Sequence, residues 1–255
     1  IANAKEHFER LTDKDKSREL RYQLVKKLFD DGKHALAKTS AKQLLEEGAR
    51  AEHVNKLYLI MISVAERTKD RDSGLSTAEK LSGWISKEKL ARTDAARIET
   101  EEYMRHYSQK LHYEAETLKN KEAWTQAKKA YEIYLKTFPD ENDTPEVKYR
   151  LAVLLMNRKE PQNAYRFVSE AIAKIDSKHP KFKDALSLRL QAIELTPKDE
   201  RSKIPEQDVL VAYDAYATNF PNEDLGVEAA FKAAMAAKSL EPPEKVAVRF
   251  RILAE

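Results

Sequence analysis

AYEIYLKTFPDEN, Ala130 to Asn142, reads as the end of an amphipathic helix that runs into a proline stop. Eighty-two positions later the chain nearly repeats it as AYDAYATNFPNED, Ala212 to Asp224. In both copies Ala, Tyr, an acid and a second Tyr precede Phe-Pro and an acidic turn. Proline is tolerated in the first turn of a helix but removes a hydrogen bond from its interior, so each Phe-Pro marks a border between helices. Pro180 lies midway, so that Pro139, Pro180 and Pro221 are 41 residues apart. Ala37 and Ala78 repeat the same step, and Arg166-Phe167 returns as Arg249-Phe250. Self-similarity at a period of roughly 20 to 50 residues is the mark of a solenoid of stacked helical or strand units.

Outward from this motif, apolar residues recur three and four apart almost everywhere, and no stretch alternates as a half-buried strand would. The spacing predicts helices at about 15–31, 33–47, 52–69, 74–87, 93–119, 122–138, 145–158, 161–177, 180–195, 205–220, 223–239 and 243–254, with a stub at 2–10. Most of the breaks between them are short, so successive helices should pack as antiparallel hairpins. The expected organisation is all-α, about six helical hairpins, with residues 1–90 as N-terminal hairpins and 91–255 as further repeats of one continuous array.

Composition agrees with this. The 255 residues are 42% hydrophobic and 35% charged with only 5 glycines, a mixture suited to helices and poor in turns. The net charge of +3 comes from 46 basic and 43 acidic residues that are finely mixed, whereas counterion-driven binding to nucleic acid needs clustered Lys and Arg. No nucleic-acid partner is therefore expected. There is no cysteine, which excludes disulfides, thiolate metal sites and a Cys nucleophile. No apolar run approaches the roughly 20 residues that would span a bilayer, so no membrane insertion is expected within this segment. The opening on Ile1 without a signal-like start reads as an excerpt or a processed product.

Small and large residues fall in a set order within each pair. With Ser108 as the first position, Leu111, Leu118 and Tyr131 are large, Ala115 and Ala127 are small, and Pro139 closes the unit. A unit from Pro145 offers Leu151, Ala152, Leu155, Ala164, Val168 and Ala171, and one from Arg18 offers Leu24, Leu28, Ala37, Ala41 and Leu44. This resembles the tetratricopeptide repeat in a divergent form, most strongly over 108–176, with other αα-solenoids as alternatives. Glu114 and Lys148 depart from the pattern, the 52–87 pair fits poorly, and Lys198 to Ile204 is an inserted polar loop. The resemblance implies a right-handed αα-superhelix. The phrasing around Phe-Pro and V-K-Y-R-L-A is similar to bacterial envelope proteins of this type, which favours a periplasmic or outer-membrane-associated location over a cytoplasmic one.

Chemistry is sparse. His112 and Glu116 share a helix face, but one imidazole and one carboxylate are too few for a metal, and an exposed charge pair is the expected reading. There is no Gly-rich phosphate loop, no G-x-S-x-G, and no acid–base–nucleophile set. No catalytic residue, metal or cofactor is expected, and the chain is not read as an enzyme.

The resemblance also implies where a partner would bind, on the faces of the first helices. Carried over by position, it points to Tyr22, Lys26, Phe29, His112, Glu116, Tyr149, Val153 and Met156. The same register from Val227 gives Phe231 and Met235, for which packing is the favoured reading of Phe231. The Lys and Asn set with which relatives hold a C-terminal carboxylate is absent. The expected function is a non-catalytic scaffold for a protein or peptide partner, with an apolar C-terminal helix end covered by further repeats, another domain or a second copy. The alternatives are a helical accessory region of a larger enzyme or envelope machine, and an RNA-binding helical repeat.

Overall fold

The computed structural model describes residues 13–253, so the stub expected at 2–10 lies outside the described residues. Among the described residues thirteen α-helices follow one another and no strand forms. None of these helices is long and apolar enough to cross a membrane. The helices are α1 (Lys14–Asp30), α2 (His34–Glu46), α3 (Ala51–Arg67), α4 (Arg71–Glu88), α5 (Ala95–Leu118), α6 (Lys121–Thr137), α7 (Thr144–Asn157), α8 (Pro161–Ile172), α9 (Phe182–Leu195), the single turn α10 (Lys198–Arg201), α11 (Glu206–Asn219), α12 (Asp224–Ala236) and α13 (Pro243–Ile252).

Their starts are chemical. Asp13 accepts from the backbone N–H groups of Asp15 and Lys16 at 3.0 and 3.1 Å, and Asp70, Asp94 and Asn120 cap α4, α5 and α6 in the same way. Each such cap is worth about 1 kcal/mol because the first N–H groups of a helix have no partner within it. Proline in the first turn starts α7, α8 and α13.

The ends share a backbone device. After α1, α3 and α7 the N–H groups of Lys33, Asp70 and Glu160 donate to the carbonyls of Leu28, Ala65 and Leu155, each at 2.9 Å. The residue before the donor is left-handed each time: Gly32 at φ 74°, Lys69 at 58° and Lys159 at 60°. Lys119, at φ 51°, closes α5 with a single bond of 2.8 Å to the Ala115 carbonyl. Three of these four positions hold lysine where glycine is the usual occupant.

Helices pack as the spacing predicts. The chain divides into two compact units, Ile1–Pro139 and Asp140–Glu255, and the border follows the first Phe-Pro stop. Position 90 falls between α4 and α5, inside the first unit. In that unit α1 pairs with α2, α3 with α4 and α5 with α6. In the second, α7 pairs with α8, α9 packs on α8 and, across the insertion, on α11, and α12, the first helix after the second Phe-Pro stop, packs on α11 before it and α13 after it. Fully buried alanines lie in these interfaces, among them Ala37, Ala41, Ala115, Ala127, Ala152, Ala164 and Ala212. A methyl there lets two helix backbones approach, and Leu and Tyr fill the space on either side. The 52–87 stretch, weak as a family match, still forms a full hairpin with Leu57, Ile62, Leu75, Leu81 and Ile85 buried.

Two segments differ from the sequence reading. Helix α8 ends at Ile172 and not near 177, and side chains take over the backbone donors beyond it: Asp176 accepts from the Lys178 N–H at 2.9 Å and His179 from that of Lys181 at 3.1 Å. The inserted 198–204 loop is not wholly irregular, since it contains α10 and buries Ile204 in the core of the second unit.

Candidate partner-binding face

In the first unit the first helices are α1, α3 and α5, and polar and aromatic groups bridge them. The Tyr22 ring stacks on His53 with centroids 3.8 Å apart and planes 11° from parallel. Glu19 receives hydrogen bonds from His53 at 2.6 Å, Arg50 at 3.0 Å and Gln23 at 2.7 Å. On the other side Asn55 donates to Glu99 at 2.7 Å, and Tyr103 bonds Ser63 at 2.7 Å and also Glu66.

The hydrogen bond from His53, followed by that from Gln23, lowers the Glu19 pKa from 4.5 to about 2. Because the folded value is depressed, the stabilising contribution of this carboxylate is present above its unfolded pKa and is lost as pH falls toward 2. Carboxylate NMR titration is expected to show Glu19 still ionised at pH 3.5, and Glu19→Gln is expected to flatten the stability of the first unit between pH 5 and about 2.5. A Glu19 midpoint at an ordinary carboxylate value would contradict the bridging geometry.

The structure places the sequence-derived residues in two groups. Tyr22 is buried in its stack, with Lys26 over its ring at 5.8 Å. Phe29 is half-buried, beneath the Arg67 guanidinium at 4.7 Å and tilted against His34. His112 is not part of an exposed pair. It is 8% exposed, its Nδ1 lies 3.0 Å from the Tyr131 hydroxyl of α6, and its ring meets Trp124 and Tyr131 edge-on. Glu116 remains exposed, 3.6 Å from the His112 Nε2. The reason is local: His112 follows Leu111 and precedes Ala115 by three, so it lies on the stripe that α5 turns toward α6.

The second unit holds the other group. Tyr149, Val153 and Met156 are half-buried along one side of α7. Burial raises the Tyr149 pKa, and the Asp184 carboxylate on α9 adds to the shift, so the phenol stays neutral. On α12 the same register places Phe231 and Met235 on the surface, 51% and 45% exposed. The favoured packing reading of Phe231 therefore describes half of the ring: one edge meets Phe250 at 6.0 Å and the rest faces solvent. Val227, one turn earlier, is 53% exposed, so α12 carries an apolar stripe three residues long.

Register reasoning passed over the groups beside this stripe. Tyr213 is buried but donates its hydroxyl to Glu194 at 3.0 Å, and Lys232 of α12 bonds both Glu194 and Glu228. Burial, helped by the Glu194 charge, pushes the Tyr213 pKa up to about 12. The signal in the sequence was the single apolar residue, Ile204, at the end of an otherwise polar insertion.

No protein-family model matches the chain, and no curated protein matches it. Solved structures similar to it include Podosopora anserina kinesin-light-chain-type, nearly identical TPR-like repeats, 12% identical, with 91% of this chain and 100% of that chain covered and a TM-score of 0.38. The TPR2AB-domain:pHSP90 complex of yeast Sti1 is 13% identical over 99% of this chain and 90% of that one, with a TM-score of 0.30. PilW, a widely conserved type IV pilus biogenesis factor, is 12% identical over 91% and 97%, also with a TM-score of 0.30. By its own helix pairs, their buried alanines and their shared turns, the chain is an all-α helical repeat similar to divergent tetratricopeptide proteins.

Proposed function

We propose that the chain is a non-catalytic scaffold that holds a protein or peptide partner on the faces of its first helices. The observation that carries this reading is the exposed Val227, Phe231 and Met235 stripe of α12, in the same register as the half-buried Tyr149 and Val153 of α7. Aromatic and methionine side chains give contact area at low entropic cost, and flanking charges orient what binds. Of the residues carried over from the resemblance, Tyr149, Val153 and Met156 present surface in the second unit, and Lys26, Phe29 and Glu116 in the first. Tyr22 and His112 support those faces from within.

Val248 and Ile252, 50% and 69% exposed on α13, support a second contact at that end of the described chain, with further repeats or another subunit. The phrasing of the helix stops supports a place in a bacterial envelope assembly, periplasmic or outer-membrane-associated.

The test is affinity capture of the full-length protein with mass spectrometry, repeated with Tyr149→Ala/Met156→Ala. Two anchors lost together are expected to weaken the retained partner at least tenfold, on the order of 2 kcal/mol, with helical circular dichroism unchanged. An unchanged partner set would move the binding face away from α7.

A further inference from the structure

The polar insertion between α9 and α11 is held in place. Ile204 is 5% exposed and lies in the core of the second unit beside Leu210, while α10 makes one turn behind Pro197. A segment that only joined two helices would need neither. Together they set Arg201 at the rim of an open cleft of about 360 Å³, lined by Glu194, Arg201, Val209, Tyr213, Lys232 and Met235.

The lining carries two cations against one carboxylate. That carboxylate is already engaged: Glu194 accepts from Tyr213 and from Lys232, and Lys232 also reaches Glu228. Among the described residues Arg201 forms no ion pair within 4.0 Å, and its charge acts on Glu194 and Tyr213. A guanidinium is a planar fork of donors suited to a second carboxylate, and here it stands beside an apolar wall of Val209 and Met235 that runs on to Phe231.

We propose that this cleft receives a short segment of a partner protein in which an acidic side chain adjoins a large apolar one, the carboxylate on Arg201 and the apolar side chain against Val209 and Met235. The inference rests on the scaffold reading and names the chemistry of its partner. A nucleic-acid backbone fits less well, because one free guanidinium beside methionine and valine offers no line of cations for successive phosphates.

The test is a position-scanning octapeptide array probed with the full chain, alone and with oligouridylate as competitor. Selection of Asp or Glu next to Leu, Phe or Met is expected, and Arg201→Gln is expected to abolish the acidic selection and weaken the selected peptides at least tenfold while apolar selection persists. Arg201→Glu is expected to transfer the preference to Lys or Arg. Peptides retained without acidic preference, or an acidic preference untouched in Arg201→Gln, would overturn this inference and leave the scaffold reading standing. Retention of no peptide, or displacement by oligouridylate, would overturn it together with that reading's peptide partner.

Discussion

Gly226→Ala is expected to destabilise the second unit by about 3 kcal/mol, although alanine is the better helix former by about 1 kcal/mol. Gly226 lies in the first turn of α12, six residues after Phe220, and a β-carbon there would overlap the Phe220 carbonyl oxygen and stand 2.9 Å from its carbon. The obstacle is backbone, which cannot rotate away as a side chain can. The first copy of the motif shows why the approach is so close. There α7 starts six residues after Phe138, with Thr144 at the matching place, whereas α12 starts only four residues after Phe220. The turn is two residues shorter, and the new helix lies under the carbonyl that ends the previous one. Gly83→Ala is the control, because that helical glycine meets nothing within 4 Å and its replacement should stabilise α4 by about 0.5–1 kcal/mol. Urea unfolding of both variants decides the matter: a Gly226→Ala protein as stable as the parent would show that the turn relaxes freely.

Tyr131→Ala is expected to cost about 3–5 kcal/mol, the range for removing a fully buried aromatic side chain. Tyr131 is 0% exposed, packs edge-on against His112 at 87° between planes, and bonds its Nδ1 at 3.0 Å. Tyr131→Phe keeps the ring and removes that hydrogen bond, so about 1 kcal/mol should be lost. The gap between the two variants measures packing against polarity at the α5–α6 crossing. Equal losses would mean that the hydroxyl, and not the ring, holds the hairpin.

Helix borders were legible where proline acts locally, since Pro139 and Pro161 each sit where a helix must stop or start, whatever surrounds it; α4 instead begins at Arg71 behind the Asp70 cap, three residues before the expected 74. The alanines were legible as a repeated small residue, though not which helices they would join. The inward turn of His112 was not. A register set at Ser108 begins in the middle of a 24-residue helix, and the side of that helix which meets α6 depends on a crossing that no one-dimensional period records. For Phe231 the sequence gives an aromatic at a core-like spacing, and only the absence of a neighbour over half its ring distinguishes anchor from core. Arg201 was hidden for a third reason. It stands in a run of charges that looks like solvated loop until Ile204 is seen buried three residues later.

The lysines that close α3, α5 and α7 have a colloidal consequence. A left-handed conformation costs a residue with a β-carbon about 1 kcal/mol relative to glycine, but glycine would enlarge the unfolded ensemble by a similar amount, and an ammonium group near the last carbonyls recovers some tenths more. Stability is then nearly indifferent to the choice, and solubility is not. Lys69, Lys119 and Lys159 are all exposed, each at the tip where a first helix turns into its second. A glycine there would leave bare backbone, the kind of surface against which another copy could stack. With lysine, each tip presents a hydrated ammonium in place of bare backbone, which disfavours the stacking of another copy there.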